Sequence, residues 1–427
     1  MLKLDKLRFE NGGKRIAYDY SYDGALSKYF SKKDTFFVEY DRDVSGVPEC
    51  ICVVPFLANF APIAWFVGFD IEVACADATF LASLEELKAE FAIHFKQMKP
   101  GSKVVCTSVE HNVIDGDQTA LLFSGGLDAF EALTRNIDQN PFLVSVWGAD
   151  IELSDTKRWD DFKRFNSEEK IIADDRVLYV KSNLRTFYTH HVDLLVDISW
   201  WGKVQHGMAL ISIIAPLSYL NGINTVMIAS SNTGEVSFGW GSTSETDEKV
   251  KWASMNVIHD GFHLRRTEKV GNIVSFAKKT GHHVQLRVCY SELRTGKNCS
   301  KCAKCQRTML CFLLDGANPD EFGFNIPSNF YELLFKNFNE NAVMTTGVAY
   351  EWRCLQEKAA QGKLFVLSEA QTERNNIATF AALPLDEIVN RKADAQLKSK
   401  RLKFTIISKF PKLFQWYLKI RRATKRK

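Results

Sequence analysis

Residues 121–128 read Leu121-Leu122-Phe123-Ser124-Gly125-Gly126-Leu127-Asp128, and this stretch decides the fold expected for the chain. The apolar run Ala120 to Phe123 has the character of a buried strand. It stops at Ser124-Gly125-Gly126, and a helix-compatible segment, Asp128 to Ile137, follows. A strand, a glycine turn and a helix start make an anion site, because free backbone N–H groups and the positive end of the helix dipole converge on one spot. Gly125 and Gly126 let the backbone approach an anion with no Cβ in the way. Ser124 adds a hydroxyl donor. Asp128, in the first helical turn, suits the dipole and has the chemistry of a metal ligand. The turn holds no lysine, so it is not the G-x-x-x-x-G-K-[ST] phosphate loop.

Working outward, residues 117–316 alternate strand and helix. Strands are expected over Thr119–Phe123, Phe142–Trp147, Arg176–Val180, Thr225–Ala229 and Val284–Val288. Helices are expected over Asp128–Ile137, Lys157–Asn166, Val204–Leu220 and Thr267–Lys279. Repeated strand–helix units predict an α/β fold with a doubly wound parallel sheet, whose ligands sit beyond the carboxyl ends of its strands. Ser124-Gly125-Gly126 occupies one such end and Ser230-Ser231-Asn232 another. Residues 1–116 mix strand-like runs (Phe36–Tyr40, Cys50–Val54) with a helix over Leu81–Met98 that Asp77 or Ser83 can cap, and predict a smaller α+β domain. Residues 317–427 predict a helical extension.

Cys289, Cys299, Cys302 and Cys305 form Cys-x9-Cys-x2-Cys-x2-Cys. Four soft thiolates with two short spacers suit tetrahedral Zn²⁺, with no coordination position left open for catalysis. Lys297, Lys301 and Lys304 partly offset the charge of such a centre. Cys311 falls in the apolar run Met309–Leu314 and reads as a core cysteine. No N-terminal apolar segment of signal type is present, and ten cysteines without one predict reduced thiols in a cytoplasmic protein. The apolar stretch near Cys52–Phe69 carries two prolines and an Asn and reads as a buried segment, not a membrane span.

The net charge is only +4, yet Arg391–Lys427 carries fourteen Lys or Arg against the single acid Asp394, so the rest of the chain is net acidic. From Lys409 onward these cations interleave with Phe410, Leu413, Phe414, Trp416 and Tyr417. That pattern fits a protein or nucleic-acid partner, an anionic membrane surface, or a helix docked on its own domain. A homo-oligomer is also expected.

Ser124-Gly125-Gly126-Leu127-Asp128 resembles the SGGxD[ST] loop of the PP-loop, or N-type, ATP pyrophosphatases, with Ala129 where many members have Ser. Together with the cysteine spacing, the chain is most similar to the 7-cyano-7-deazaguanine synthase family over roughly residues 117–312. Ala229-Ser230-Ser231-Asn232, Asp247 and Arg266-Thr267-Glu268-Lys269-Val270 fall where that family has an Asn-containing loop, an Asp loop and a Lys-Ala-Glu helix start. Lys203, Gln205 and His206 stand where it has an Arg-Asn pair. The resemblance implies a HUP/PP-loop fold and an ATP-dependent ligase releasing AMP and pyrophosphate. Ser124, Gly125, Gly126, Leu127 and Asp128 would hold the phosphates, and Val146 and Trp147 the adenine. Asp128 and Asp247 would hold Mg²⁺, and Arg266 and Lys269 would stabilise charge on the α-phosphate. Lys203, His206 and Asn232 would meet a small carboxylic acid, with Trp200 and Trp201 available to stack on a planar ring. Two other classes stay open: a PP-loop tRNA sulfurtransferase, and a non-catalytic nucleotide-sensing scaffold.

Overall fold

The computed structural model describes residues 1–30, 35–99, 101–171, 173–197, 199–236, 240–289, 298–340 and 345–388, with seven isolated positions between 399 and 416. The fold is α/β. Ten strands form one sheet: β1 Leu2–Glu10, β2 Arg15–Tyr22, β3 Phe37–Tyr40, β4 Ile71–Asp77, β5 Val104–Glu110, β6 Gln118–Leu122, β7 Phe142–Trp147, β8 Val177–Ser182, β9 Ile223–Ala229 and β10 Asn256–Asp260. Their order is β10-β9-β6-β7-β8-β3-β2-β1-β4-β5. The half from β10 to β8 is entirely parallel. The chain runs outward from β6 to β7 and β8 on one side, then returns to lay β9 and β10 on the other. The order therefore reverses at β6, the strand that feeds Ser124-Gly125-Gly126.

Residues 1–116 do not stand apart as the expected separate domain. Strand β3 pairs antiparallel with β8, from Val38 opposite Ser182 to Tyr40 opposite Val180, so the sheet continues without a break. One apolar core joins both regions, placing Phe36 and Phe60 beside Phe187 and Trp200 beside Phe66. The sheet is consequently mixed, since β1, β2 and β3 pair antiparallel.

Cys50–Val54, expected as a strand, is helical: Glu49–Cys52 is followed by Val54–Val67. A short apolar run fits either a buried strand or a buried helix. Pro48 at the first N-cap and Pro55 at the start of the second helix favour the helix. The apolar segment is buried as expected, and no helix among the described residues is long and apolar enough to cross a membrane. The helix expected over Leu81–Met98 runs Ala78–His94, and Asp77 caps it by accepting from the Phe80 N–H.

Val204–Leu220 is not one helix. A π-helical turn, Trp201–Gln205, leads into His206–Ser212, and a second helix, Ala215–Asn221, begins after a break. Pro216 has no N–H and its ring crowds the preceding turn, so the run cannot stay continuous. Val284–Val288 adds no strand. Its N–H groups at Leu286 and Arg287 bond to Phe322 and Gly125 carbonyls instead. The fifth parallel strand is β10, whose short Asn-Val-Ile-His-Asp sequence carries little strand signal.

Beyond residue 316 the described chain is helical, with Phe330–Glu340, Thr346–Ala359 and Ala370–Ala381 packed on the same core as helix Ala303–Leu314. The basic tail lies outside the described residues apart from the isolated positions. Among these, Leu402, Phe410, Leu413 and Trp416 are exposed.

Candidate functional site

Strand β6 delivers Ser124 to the carboxyl edge of the sheet. The Phe123 N–H donates to Val144 O at 2.8 Å, and the Ser145 hydroxyl donates to Phe123 O at 2.8 Å, which fixes where the strand ends. Gly125 then takes φ +72°, and Gly126 caps helix Leu127–Arg135. A Cβ on Gly125 would stand 2.7 Å from the Phe165 ring, so space and backbone both require glycine here. Gly125→Ala is therefore expected to cost about 1–3 kcal/mol of stability. Denaturant unfolding checks this; an unchanged midpoint would mean the loop tolerates another conformation.

Asp128 sits in the first turn of that helix and faces the start of a second one, Arg266–Thr280. Arg266 Nη1 lies 3.1 Å from Asp128 Oδ2, and Lys269 Nζ lies 3.6 Å from Oδ1. Burial raises the Asp128 pKa, but the charges of Arg266, Lys269 and Lys304 outweigh it and hold the carboxyl below its ordinary range. Burial likewise works against the Arg266 charge, and Asp128 with Glu351 more than restores it. Lys269 is 2% exposed and donates to Ser230 O. Arg266 keeps Nη2 without a hydrogen-bond partner among the described residues. Helix Arg266–Thr280 starts where it does because Glu268 accepts from the Arg265 N–H at 2.6 Å.

A cavity of about 160 Å³ opens beside this loop. Ser124, Gly126, Leu127, Asp128, Val146 and His206 line it, bringing together residues that the sequence placed far apart. A smaller hollow shares Asp128 and Ser231 with it and is lined by Asn232, Arg266 and Lys269. Gly125 turns its carbonyl to the Arg287 N–H, 2.7 Å away.

Four expected roles do not fit this geometry. Trp147 faces away: its indole N–H donates to Glu152 O, and its ring stacks on Trp159 at 5.5 Å and 8°. Phe123, Trp159 and Phe162 are the benzenoid and indole rings on the cavity wall, the last two from one helix. Their signal was the 3-residue spacing on helix Thr156–Glu168, which also fits core packing. Lys203 donates to the Val196 and Asp197 carbonyls, and Trp200 is fully buried against Phe66. Asp247 lines neither hollow. It is fully buried, with Oδ2 accepting from the Ser242 hydroxyl at 2.7 Å and lying 2.8 Å from His259 Nδ1.

His259 was not legible as a site residue. It stands on β10, and its Nε2 lies 2.8 Å from the Ser230 hydroxyl oxygen. Asp247, His259 and Ser230 thus form a buried chain that ends at the Ser230 carbonyl held by Lys269. This chain fixes the loop after β9. A Cβ on Gly207 would fall 1.8 Å from Asp247 Oδ1, so Gly207 makes room for the carboxylate.

His206 follows the π-helical turn, with Trp201 and Trp240 rings 5.1 and 5.9 Å away. Its Nδ1 is buried and has no hydrogen-bond partner among the described residues. Burial pushes its pKa below the ordinary 6.5, against the pull of Asp150 and Asp247; Arg185 and His259 push the same way as burial. The neutral imidazole is therefore the folded form. As pH falls below about 6.5, the unfolded chain takes up a proton that the folded chain refuses, so stability declines. His190 and His191 are shifted in the same sense by burial. Denaturant midpoints measured from pH 7.5 down to 5 should fall, and His206→Gln should flatten part of that slope. A slope identical to wild type would mean that His206 is not held neutral.

The cysteine cluster is assembled. The Sγ atoms of Cys289, Cys299, Cys302 and Cys305 all lie within 4.8 Å of one another. The Sγ atoms of Cys289 and Cys302 are 3.8 Å apart, those of Cys299 and Cys305 3.9 Å, and those of Cys302 and Cys305 3.5 Å. A tetrahedral ion with ~2.3 Å bonds to sulfur needs sulfurs ~3.8 Å apart. The cluster thus fits a metal ion such as zinc. Without one the thiols crowd each other, and the neighbouring Cys289 thiol and burial help push Cys302 up to about 11. Asn298 braces the lobe: its Oδ1 accepts from the Val288 and Cys289 N–H groups, and its Nδ2 donates to Leu286 O and Gly323 O. Cys311 is buried in helix Ala303–Leu314, outside the cluster. Lys297 lies outside the described residues.

No protein family, curated protein or solved structure matches this chain.

Proposed function

We propose that this chain is an ATP-dependent ligase that transfers AMP to a carboxylate and releases pyrophosphate, with a structural zinc ion at its four cysteines. One observation carries the reading. The Ser124–Asp128 loop sits where the strand order reverses, at the carboxyl end of β6, and opens with a helix start onto a cavity beside paired cations. Such a place suits a polyphosphate.

A carboxylate does not condense with an amine because its oxygen is a poor leaving group. Attack of the carboxylate on the α-phosphorus of ATP expels pyrophosphate and leaves a mixed anhydride. The amine then attacks the acyl carbon and AMP departs. The chain's task is alignment and charge neutralisation. The N–H groups of the Ser124–Gly126 loop grip the departing pyrophosphate. Asp128 aims Arg266 and Lys269 at the α-phosphate and is the carboxylate at hand for Mg²⁺, which supplies positive charge to the polyphosphate. Trp159 and Phe162 offer aromatic faces to the adenine. His206, neutral and with Nδ1 unpartnered among the described residues, can accept the proton that the attacking amine sheds.

The acid is proposed to be flat and heterocyclic, a deazapurine carboxylic acid such as 7-carboxy-7-deazaguanine, on the resemblance of the loop and cysteine spacing. Trp201 and Trp240 beside His206 are the rings available to it. Incubation with ATP, 7-carboxy-7-deazaguanine and ammonia, followed by nucleotide separation, tests the reading. AMP with pyrophosphate supports it. ADP with phosphate, or no turnover with any planar acid, overturns it.

A further inference from the structure

Two cations facing the phosphate-binding loop come from the cysteine lobe and not from the sheet. Arg287 and Lys304 line the same cavity as Ser124, Gly126 and Asp128, and so does Cys289. Arg287 precedes Cys289 by two residues, and Lys304 lies between Cys302 and Cys305. The first segment is bonded to the loop directly, and the second acts on it through charge. The Arg287 N–H donates to Gly125 O at 2.7 Å, and the Lys304 charge helps hold the Asp128 carboxyl below its ordinary range. The Arg287 guanidinium stands 4.7 Å from the centre of the Phe162 ring, itself on the cavity wall. Lys304 is in the first turn of helix Ala303–Leu314, which starts at Cys302, so the positive end of that helix also belongs to the cluster region.

We propose that the four-cysteine centre builds one wall of the phosphate site, so that metal binding and polyphosphate binding reinforce each other. The inference rests on the ATP reading above. Its physical basis is repulsion. Arg287, Lys304, Arg266, Lys269 and Arg158 line the two adjoining hollows, and among the described residues Asp128, Asp150 and Glu351 are the acids that line them. An anchored centre holds Arg287 and Lys304 against this repulsion, and its own negative thiolates offset part of it. A polyphosphate supplies the remaining negative charge. Because the same backbone carries both ligands and cations, each bound group lowers the cost of ordering the other, and the coupling is reciprocal.

The test uses the full chain. Calorimetric titration with the non-hydrolysable α,β-methylene analogue of ATP, in excess Mg²⁺, compares zinc-loaded with chelator-stripped protein. Stripping is expected to weaken binding by roughly ten-fold or more, as loss of a charge-assisted contact does. The same nucleotide should slow zinc release to a chromogenic chelator. Stripped protein can fail to fold, so Arg287→Gln and Lys304→Gln in the zinc-loaded protein form a second arm. Each should keep its zinc and its melting temperature while binding the nucleotide roughly ten-fold more weakly. Wild-type affinity in both variants, or in folded stripped protein, overturns the coupling and leaves the ATP reading standing. Absence of nucleotide binding by zinc-loaded wild type overturns both.

Discussion

Asp128→Asn should lower turnover by about 100-fold or more while leaving the fold in place. The substitution keeps shape and removes one negative charge from a spot only 15% exposed. Arg266 at 3.1 Å and Lys269 at 3.6 Å then lose the anion that aims them. On the ligase proposal they are then no longer poised for the α-phosphate, and a bound Mg²⁺ would lose its carboxylate. Loss should appear mainly in kcat, because the loop N–H groups proposed to grip the phosphates are untouched. Steady-state kinetics with pyrophosphate detection gives the split, and a thermal melt separates catalysis from folding, since a cation left uncompensated also costs stability. Wild-type turnover would reduce Asp128 to a helix-start residue and Arg266 and Lys269 to its ion-pair partners.

The second large effect concerns the cysteines. Metal analysis should give about one zinc per chain, and Cys302→Ser should lose it and melt at a lower temperature. Structural zinc contributes on the order of 10 kcal/mol of binding free energy in small metal domains, which is folding free energy there. Cys302 is central to that effect here. Its thiol lies 3.8 Å from Cys289 and 3.5 Å from Cys305, and its N–H donates to Cys299 Sγ at 3.3 Å. It also caps helix Ala303–Leu314, whose Met309, Leu310, Phe312 and Leu313 are buried in the core shared with the C-terminal helices. Destabilisation should therefore spread beyond the lobe. Cys311→Ala should leave the metal in place, because Cys311 is one helical turn and more removed from the ligand set. Full zinc occupancy in Cys302→Ser would show that the ligands are wrongly assigned.

Local chemistry wrote certain features directly into the sequence. Gly125 between an apolar run and a helical segment specifies a turn whatever surrounds it, because only glycine accepts that backbone and that crowding. Four cysteines within seventeen residues can meet at one point because the chain between them is short. Strand β7 at Phe142–Trp147 and the parallel neighbours of β6 follow from apolar runs bounded by turns. Other features depended on long-range packing. Whether Cys50–Val54 became strand or helix was decided by which core it joined, since an apolar run satisfies both. Residues 1–116 became part of the sheet because β3 found the open edge of β8, and edge pairing leaves no local mark. Trp147 and Trp159 carry the same side chain, and only the stacking of one on the other determined which met the cavity. Asp247 is expected as a metal ligand only through the resemblance of its loop. The close approach of Gly207 and the arrival of His259 from β10 buried it and made it a brace for the loop after β9. Sequence by itself thus determined the groups whose chemistry is fixed by backbone conformation or short spacing. Tertiary structure alone decided which side chains face the cavity, because burial is a property of the partners a residue meets and not of the residue.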